Sequence, residues 1–206
     1  VGLGPAGLFA ALLLARSGYR PLVLERGPAL DERIRAVSHF EKTGELNPNA
    51  NIQFGEGGAG TFSDGKLTTR VGDPLCAFVT GAFLDHGAPA DIAWRQKPHV
   101  GTDLLRDVIR SIRGEIESLG GEVRFNTALT GLQIRNGALT GIDTTAGSVA
   151  CEQLILAVGH SARDTFAMLH ELGLPLACKP FSVGFRAEHL QTEIDKSLYH
   201  GAAGHP

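Results

Sequence analysis

The residues of this chain whose types and spacing suit chemistry stand at its very start. Gly2-Leu3-Gly4-Pro5-Ala6-Gly7 has the spacing G-x-G-x-x-G, and each glycine has a physical reason. The first permits a tight turn, the second lets a pyrophosphate approach the backbone, and the third lets a helix pack closely on a strand. The helix that follows would offer unpaired N–H groups and the positive end of its dipole to phosphate oxygens. Glu25 ends the next apolar strand, 18 residues past Gly7, where a carboxylate can accept hydrogen bonds from both hydroxyls of an adenosine ribose. The same charge would repel a 2′-phosphate, which argues against NADP at this site. A glycine turn without ligand, with Glu25 as a solvated strand-end charge, is the bland alternative.

A second glycine cluster follows. Gly55, Gly57 and Gly60 repeat the same spacing, with Gly58 and Gly65 beside them. No apolar strand precedes this segment and no apolar helix follows it, so it is not a second dinucleotide turn. A chain so rich in glycine exposes backbone N–H groups that can surround an anion or the polar edge of a ring. With Thr61, Ser63 and Lys66 added, it suits the pyrophosphate, ribityl chain and ring of FAD; a flexible surface loop is the alternative.

Single residues add less. Lys66 could place positive charge near the flavin N1/O2 edge, or serve as a pyrophosphate contact or a solvated lysine. His160, directly after Ala157-Val158-Gly159, stands where a polar group could meet cofactor or substrate, although a helix-start residue without catalytic role fits the same position. His99 reads equally as a local hydrogen-bonding residue. Arg186 could bind an anionic substrate or be an exposed strand arginine. The eight histidines show no HExxH or comparable spacing, so metal catalysis has no support.

The elements that must position these groups are legible in outline. Residues 5–17 read as a helix apolar on nearly every side, hence buried, with Gly18 to end it. Residues 21–24 form a short apolar strand, completing a βαβ unit. A second helix starts near Asp31, carries Ile34, Val37 and Phe40 on one face, and stops at Gly44. Residues 70–98 mix proline, glycine and aromatics without a period that assigns them. Residues 103–119 are a clear helix, with Leu104, Leu105, Val108, Ile109, Ile112, Ile116 and Leu119 on one stripe. Strands follow at 123–126, 129–134, 139–144 and 148–151, and Asn136-Gly137 is the pair that best fits a type I′ hairpin turn. Residues 153–158 form a continuous apolar run, expected in the middle of a parallel sheet, and a helix then extends to about Leu172. Phe181, Val183 and Phe185 alternate with polar or small residues, as in a half-exposed strand of another sheet.

Composition sets the outer bounds. The chain has 206 residues, 43% hydrophobic and 20% charged, which is ordinary for a globular protein and too apolar for a disordered one. The net charge of −3 and the lack of a basic run give no sign of a nucleic-acid partner. The longest apolar run, residues 8–15, is too short to cross a bilayer, and no secretory signal precedes the first turn. Three widely spaced cysteines without a CxxC pair read as reduced thiols of a cytoplasmic protein. The chain starts inside a strand without an initiator Met and closes without a terminal element, so it reads as a fragment truncated at both ends.

These residues resemble a known family. The opening GxGPAG, Glu25-Arg26 and the run from Leu154 to Gly159 look like the glutathione-reductase-type FAD fold, whose long helix and strand lead into an antiparallel meander and then a strand against the cofactor. FGEGGAGTFSDGKL, Pro98-His99-Val100-Gly101-Thr102-Asp103 and AVGHSARDTF are similar to the uncharacterised FAD-dependent dehydrogenases, bacterial NAD(P)/FAD-dependent oxidoreductases. The resemblance covers essentially the whole chain. It implies that Gly2, Gly4, Pro5, Ala6, Gly7, Glu25 and Arg26 hold the ADP part and that Leu129 meets adenine through its backbone. Gly57, Gly58, Ala59, Gly60, Thr61, Ser63, Asp64, Gly65 and Lys66 would face the flavin. Ala157, Val158 and Gly159 would pass beneath the cofactor.

The expectation is an α/β protein. It has a Rossmann-like FAD-binding fold with a parallel sheet and an antiparallel meander, in parts 1–70 and 99–173, a connecting segment at 71–98, and the start of a mixed α+β substrate domain at 174–206. The expected activity is hydride or electron transfer through FAD on a small-molecule substrate that the sequence does not name, with NAD(P)H an open candidate donor. Two rivals remain: an NAD-dependent dehydrogenase with a single Rossmann site, which leaves the meander and second glycine loop unexplained, and a non-catalytic FAD- or nucleotide-binding module.

Overall fold

The first 24 residues pass from sheet to helix and back to sheet. The computed structural model describes residues 1–202 apart from 64, 68, 70, 96, 97 and 186. Helix α1 (Pro5–Arg16) has proline in its first turn, where the missing N–H costs nothing, and the chain reverses at Gly18 with φ of +85°. Leu8, Ala11, Leu12 and Ala15 face inward, while Leu13 stays 52% exposed. The helix is therefore buried on one face and not all round.

Strand β1 (Leu22–Leu24) pairs in parallel with β2 (Glu122–Arg124). On its other side the Gly2 N–H donates to the Leu24 carbonyl at 2.8 Å. Beyond that, Val1 donates to the Ile155 carbonyl at 2.7 Å and the Ala157 N–H donates to the Val1 carbonyl at 2.8 Å. The sheet order is thus 155–157, 1–2, β1, β2. Residues 153–158 do not form the regular buried strand expected of them. They lie at the sheet edge, with Ile155 52% and Leu156 38% exposed. An apolar run shows that a segment can be buried on both faces; it does not show that a neighbour lies along both edges.

Val23 points to a core shared with α1 and with helix α4 (Thr102–Ser118), whereas Leu24 and Leu22 point to a smaller cluster under the meander. The buried stripe of α4 is Leu105, Val108, Ile109, Ile112 and Ile116; Leu104 and Leu119, at its margins, are exposed. The meander is β3 (Leu129–Arg135), β4 (Ala138–Thr144) and β5 (Gly147–Ala150), antiparallel in that order. Asn136 and Gly137 both have positive φ, +53° and +76°, the type I′ geometry that the pair predicts.

Helix α2 (Leu30–Thr43) closes on Gly44 in the left-handed region. Its buried face is Leu30, Arg33 and Val37; of the apolar stripe read from sequence Val37 is buried and Ile34 packs against the core, whereas Phe40 is exposed. The stretch that resisted assignment holds helix α3 (Cys76–Asp85), whose Phe83 packs edge-on against Phe9 with ring centroids 5.3 Å apart. Helix α5 (Arg163–Glu171) packs on β3.

The chain divides into two compact units, Val1–Gly173 and Leu174–Pro206. The second holds helix α6 (Gln191–Tyr199). The strand expected around Phe181, Val183 and Phe185 does not form: the segment is irregular, with Phe181 84% and Phe185 102% exposed. Alternation without a hydrogen-bonding partner is insufficient for a strand. Arg186 lies outside the described residues. Among the described residues no helix is long and apolar enough to cross a membrane.

Candidate functional site

The turn between residue 1 and α1 is closed against backbone on two sides and open on the third. A Cβ on Gly2 would lie 2.4 Å from the Ala157 carbonyl oxygen, and one on Gly7 would lie 1.8 Å from the Gly2 carbonyl oxygen. A Cβ on Gly4 would meet nothing within 4 Å. Gly4 precedes α1 with no side-chain cap, so the first-turn N–H groups of α1 have no side-chain partner there. The buried carboxylate of Glu25 holds the turn from below: Oε2 accepts the Leu3 N–H and Oε1 accepts the Gly27 N–H, each at 2.8 Å. A carboxylate has about four lone-pair positions, so capacity for two further donors remains.

A cavity of about 480 Å³ opens here, within the range of roughly 300–1,000 Å³ usual for small-molecule sites. The structure gathers around it Gly2, Gly4, Pro5, Ala6, Glu25, Arg26, Gly58, Ala59, Leu129, Ala157, Val158, Gly159 and His160, all singled out from sequence. Other residues picked from sequence stand elsewhere. Gly7 is packed behind the turn, and Gly57 donates its N–H to the Leu3 carbonyl at 2.9 Å. Gly60 faces Leu105 of α4, Thr61 is fully buried beneath the loop, and Ser63 is exposed. Gly65 packs on Gly101, and Lys66 is exposed in an antiparallel bridge with His99. Asp64 lies outside the described residues. The second glycine loop is therefore split: its first half walls the cavity and its second half turns away.

Sequence reading missed Gln53, Phe54, Thr127, Ser161, Thr165 and Phe166, which also line the cavity. Phe54, Ser161, Thr165 and Phe166 stand within the family-like segments FGEGGAGTFSDGKL and AVGHSARDTF, the signal that could have found them, while Gln53 and Thr127 offer only proximity to such residues. Arg26 forms an ion pair with Asp164 at 2.6 Å, tying the end of β1 to the start of α5. Partial burial works against the charge of Asp164, but the hydrogen bond from Arg26 and those from backbone N–H groups prevail and hold its carboxyl below the usual range. Among the described residues no group of three or more His, Cys, Asp or Glu is placed to hold a metal.

A parallel sheet with a glycine turn, a helix N-terminus and an acid at the end of the neighbouring strand defines a dinucleotide-binding α/β fold. Residues 105–206, just under half of the chain, match the model of a family described as FAD dependent oxidoreductase. It is 50% identical, over all 206 residues, to an uncharacterized protein of Clostridium beijerinckii, and spans 39% of that relative's length. Among solved structures it is similar to THI4 of Thermovibrio ammonificans, at 15% identity and a TM-score of 0.54, covering 84% of this chain and 61% of that one. An L-amino acid deaminase from Proteus myxofaciens, solved with anthranilate, also aligns at 15% identity, with a TM-score of 0.43 over 85% of this chain and 47% of that one.

Proposed function

We propose that this chain is the FAD-binding portion of a flavin-dependent oxidoreductase acting on a small-molecule substrate. The observation that carries the reading is the meeting, around one cavity, of the Gly2–Gly7 turn, the Glu25 carboxylate and residues 53–59 of the second glycine loop. An NAD site needs only the first two. Open space at Gly4 would admit a pyrophosphate, Glu25 would accept the ribose hydroxyls, and Leu129 would meet adenine through its backbone. Gly2, Pro5, Ala6, Arg26, Gly58, Ala59, Ala157, Val158 and Gly159 would complete the walls, with Gly7 and Gly57 holding them from behind.

FAD supplies the ring that carries hydride or electrons, and the protein supplies position and electrostatics. Of the two side chains considered for chemistry, His160 lines the cavity and is the stronger candidate to hold a proton near a reacting atom; Lys66 does not line it. In this reading 1–70 and 99–173 are the two parts of the FAD domain, 71–98 connects them, and 174–206 begins the substrate domain. The unpaired Cys76, Cys151 and Cys178 support a cytoplasmic setting, and NAD(P)H would be a source of electrons.

The test is direct. The full-length protein should purify with a yellow chromophore released as FAD on denaturation, and NADH or NADPH should bleach it if nicotinamide is the donor. A colourless protein that binds NAD and not FAD would establish the single-site dehydrogenase instead. A flavin that no donor or oxidisable small molecule reduces would leave a binding module.

A further inference from the structure

Arg33 projects from α2 into the interior and is fully buried. Its guanidinium reaches five acceptors on the second glycine loop. Nε donates to the Asn51 carbonyl at 2.9 Å, and Nη2 to the Ile52 carbonyl at 3.0 Å. Nη1 meets the Glu56 carbonyl at 2.7 Å, the Gly58 carbonyl at 2.9 Å and Thr61 Oγ1 at 3.1 Å. The group also lies over the Phe62 ring, 4.7 Å from its centroid. Burial lowers the guanidinium to about 10 against the pull of Glu25 and Glu56, so it remains a cation at neutral pH.

A buried cation is costly unless its hydrogen bonds and counter-charge are supplied. Here both are. The fully buried Glu56 takes the Leu30 N–H at 2.7 Å and Arg113 Nε at 2.7 Å. Apart from the short 3₁₀ turn Ala59–Phe62, the loop has no regular element to occupy its carbonyls, and inward carbonyls need a donor. Gly55, Gly57 and Gly58 take φ of +115°, +76° and +71°, which turns those carbonyls toward one point, and Arg33 occupies that point. A trans peptide directs its C=O and the following N–H to opposite sides. The Gly58–Ala59 peptide, its carbonyl drawn to Arg33, therefore turns its N–H away from Arg33, and both residues line the cavity. On that side Gly58 sits directly on Pro5, a Cβ at Gly58 falling 2.6 Å from Pro5 Cδ.

We propose that Arg33 is a positioning residue for the cofactor: it fixes residues 53–59 as the wall of the dinucleotide site beside the phosphates, without touching the ligand itself. The proposal rests on the FAD reading above. Because Glu25 and Leu129 serve the adenosine end without the loop, loss of Arg33 would weaken FAD and spare AMP.

Full-length wild type, Arg33→Lys and Thr61→Val would each be titrated with FAD and with AMP, alongside thermal melts and the visible band shape of bound flavin. Lysine keeps the charge but not the fork. The expected result for Arg33→Lys is a loss of about tenfold or more in FAD affinity, an altered flavin band, and AMP binding within about threefold of wild type. Thr61→Val, which removes one acceptor of Arg33 and with it the hydroxyl's own 2.8 Å donation to the Gly58 carbonyl, should move FAD binding the same way by a smaller factor and serves if the lysine variant does not fold. FAD binding equal to wild type in the folded variants would overturn the proposal. So would parallel loss of FAD and AMP that tracks the melting temperature, because that marks a merely structural residue. Wild type that binds AMP and not FAD would overturn the underlying FAD reading instead.

Discussion

Glu25 and Leu3 are 22 positions apart in sequence, yet the carboxylate accepts the Leu3 N–H at 2.8 Å. Its other oxygen takes the Gly27 N–H at the same distance. The acid read from sequence as a ribose ligand is thus also the brace of the turn that would hold the phosphates.

Replacing that brace by an amide separates its two uses. In Glu25→Gln an NH₂ group must face a backbone N–H, leaving a buried donor unpaired. The expected cost is about 1–3 kcal/mol, read from urea unfolding of the apoprotein, together with a loss of AMP affinity of about tenfold. Unchanged stability would show that the turn stands without the carboxylate.

Two glycines of the same motif should behave oppositely. Gly4→Ala adds a methyl in open space, and because alanine is a poorer helix N-cap than glycine it should cost no more than about 1 kcal/mol. That methyl occupies the approach to the turn, so FAD affinity should fall at least tenfold, a drop of about 1.4 kcal/mol. Gly7→Ala drives a methyl into the Gly2 carbonyl and should cost about 3 kcal/mol or more. Calorimetry of the apoproteins beside FAD titration checks both. A Gly4→Ala protein with normal FAD binding would remove the pyrophosphate from this turn.

Acid should loosen the packing of α1 on α4. Arg16 donates two hydrogen bonds of 2.8 Å to Glu115, and His86 Nε2 lies 2.7 Å from the same carboxylate. The Arg16 hydrogen bond foremost, with His86 adding to it, holds the Glu115 carboxyl below its ordinary value. The unfolded chain therefore takes up the proton first as pH falls. The contribution is complete above the ordinary glutamate value of about 4.3 and is lost as pH falls through the lower folded value. Because the pair is partly exposed, its size is about 1 kcal/mol or less. Glu115→Gln should abolish this part of the pH dependence in urea melts taken across that window.

The meander turn offers a control remote from chemistry. Gly137→Val forces a β-branched residue to φ of +76° and should cost about 1–2 kcal/mol. FAD affinity should stay within twofold, about 0.4 kcal/mol. A larger change in affinity would mean that the hairpin bears on the position of Leu129.

Features set by short-range rules were legible. The glycine turn, the Asn136-Gly137 hairpin and the α4 stripe each depend on a few neighbouring residues, and the structure has all three. What escaped is decided at long range. On α2 the apolar pattern selected Ile34, Val37 and Phe40, yet Arg33 went inside because its partner is a loop of inward carbonyls and not a hydrocarbon surface. Helix α3 is apolar without a stripe, and Gly81 weakens its local helix signal. In the second glycine loop composition suggested one continuous cofactor wall. The φ values at Gly57 and Gly58, set by contact with Leu3 and Pro5, send only its first half to the cavity. The placement of Lys66 against His99 likewise depends on pairing across 33 positions, which no local pattern reports.

The Gly57–Leu3 hydrogen bond welds the loop wall to the turn. A dinucleotide seated between them could not leave by a swing of the loop alone, because that bond and the cluster of bonds at Arg33 would have to break together. Its residence time would then be governed by how often this patch opens as a cooperative unit, with the Gly57 amide proton exchanging with solvent on the same clock.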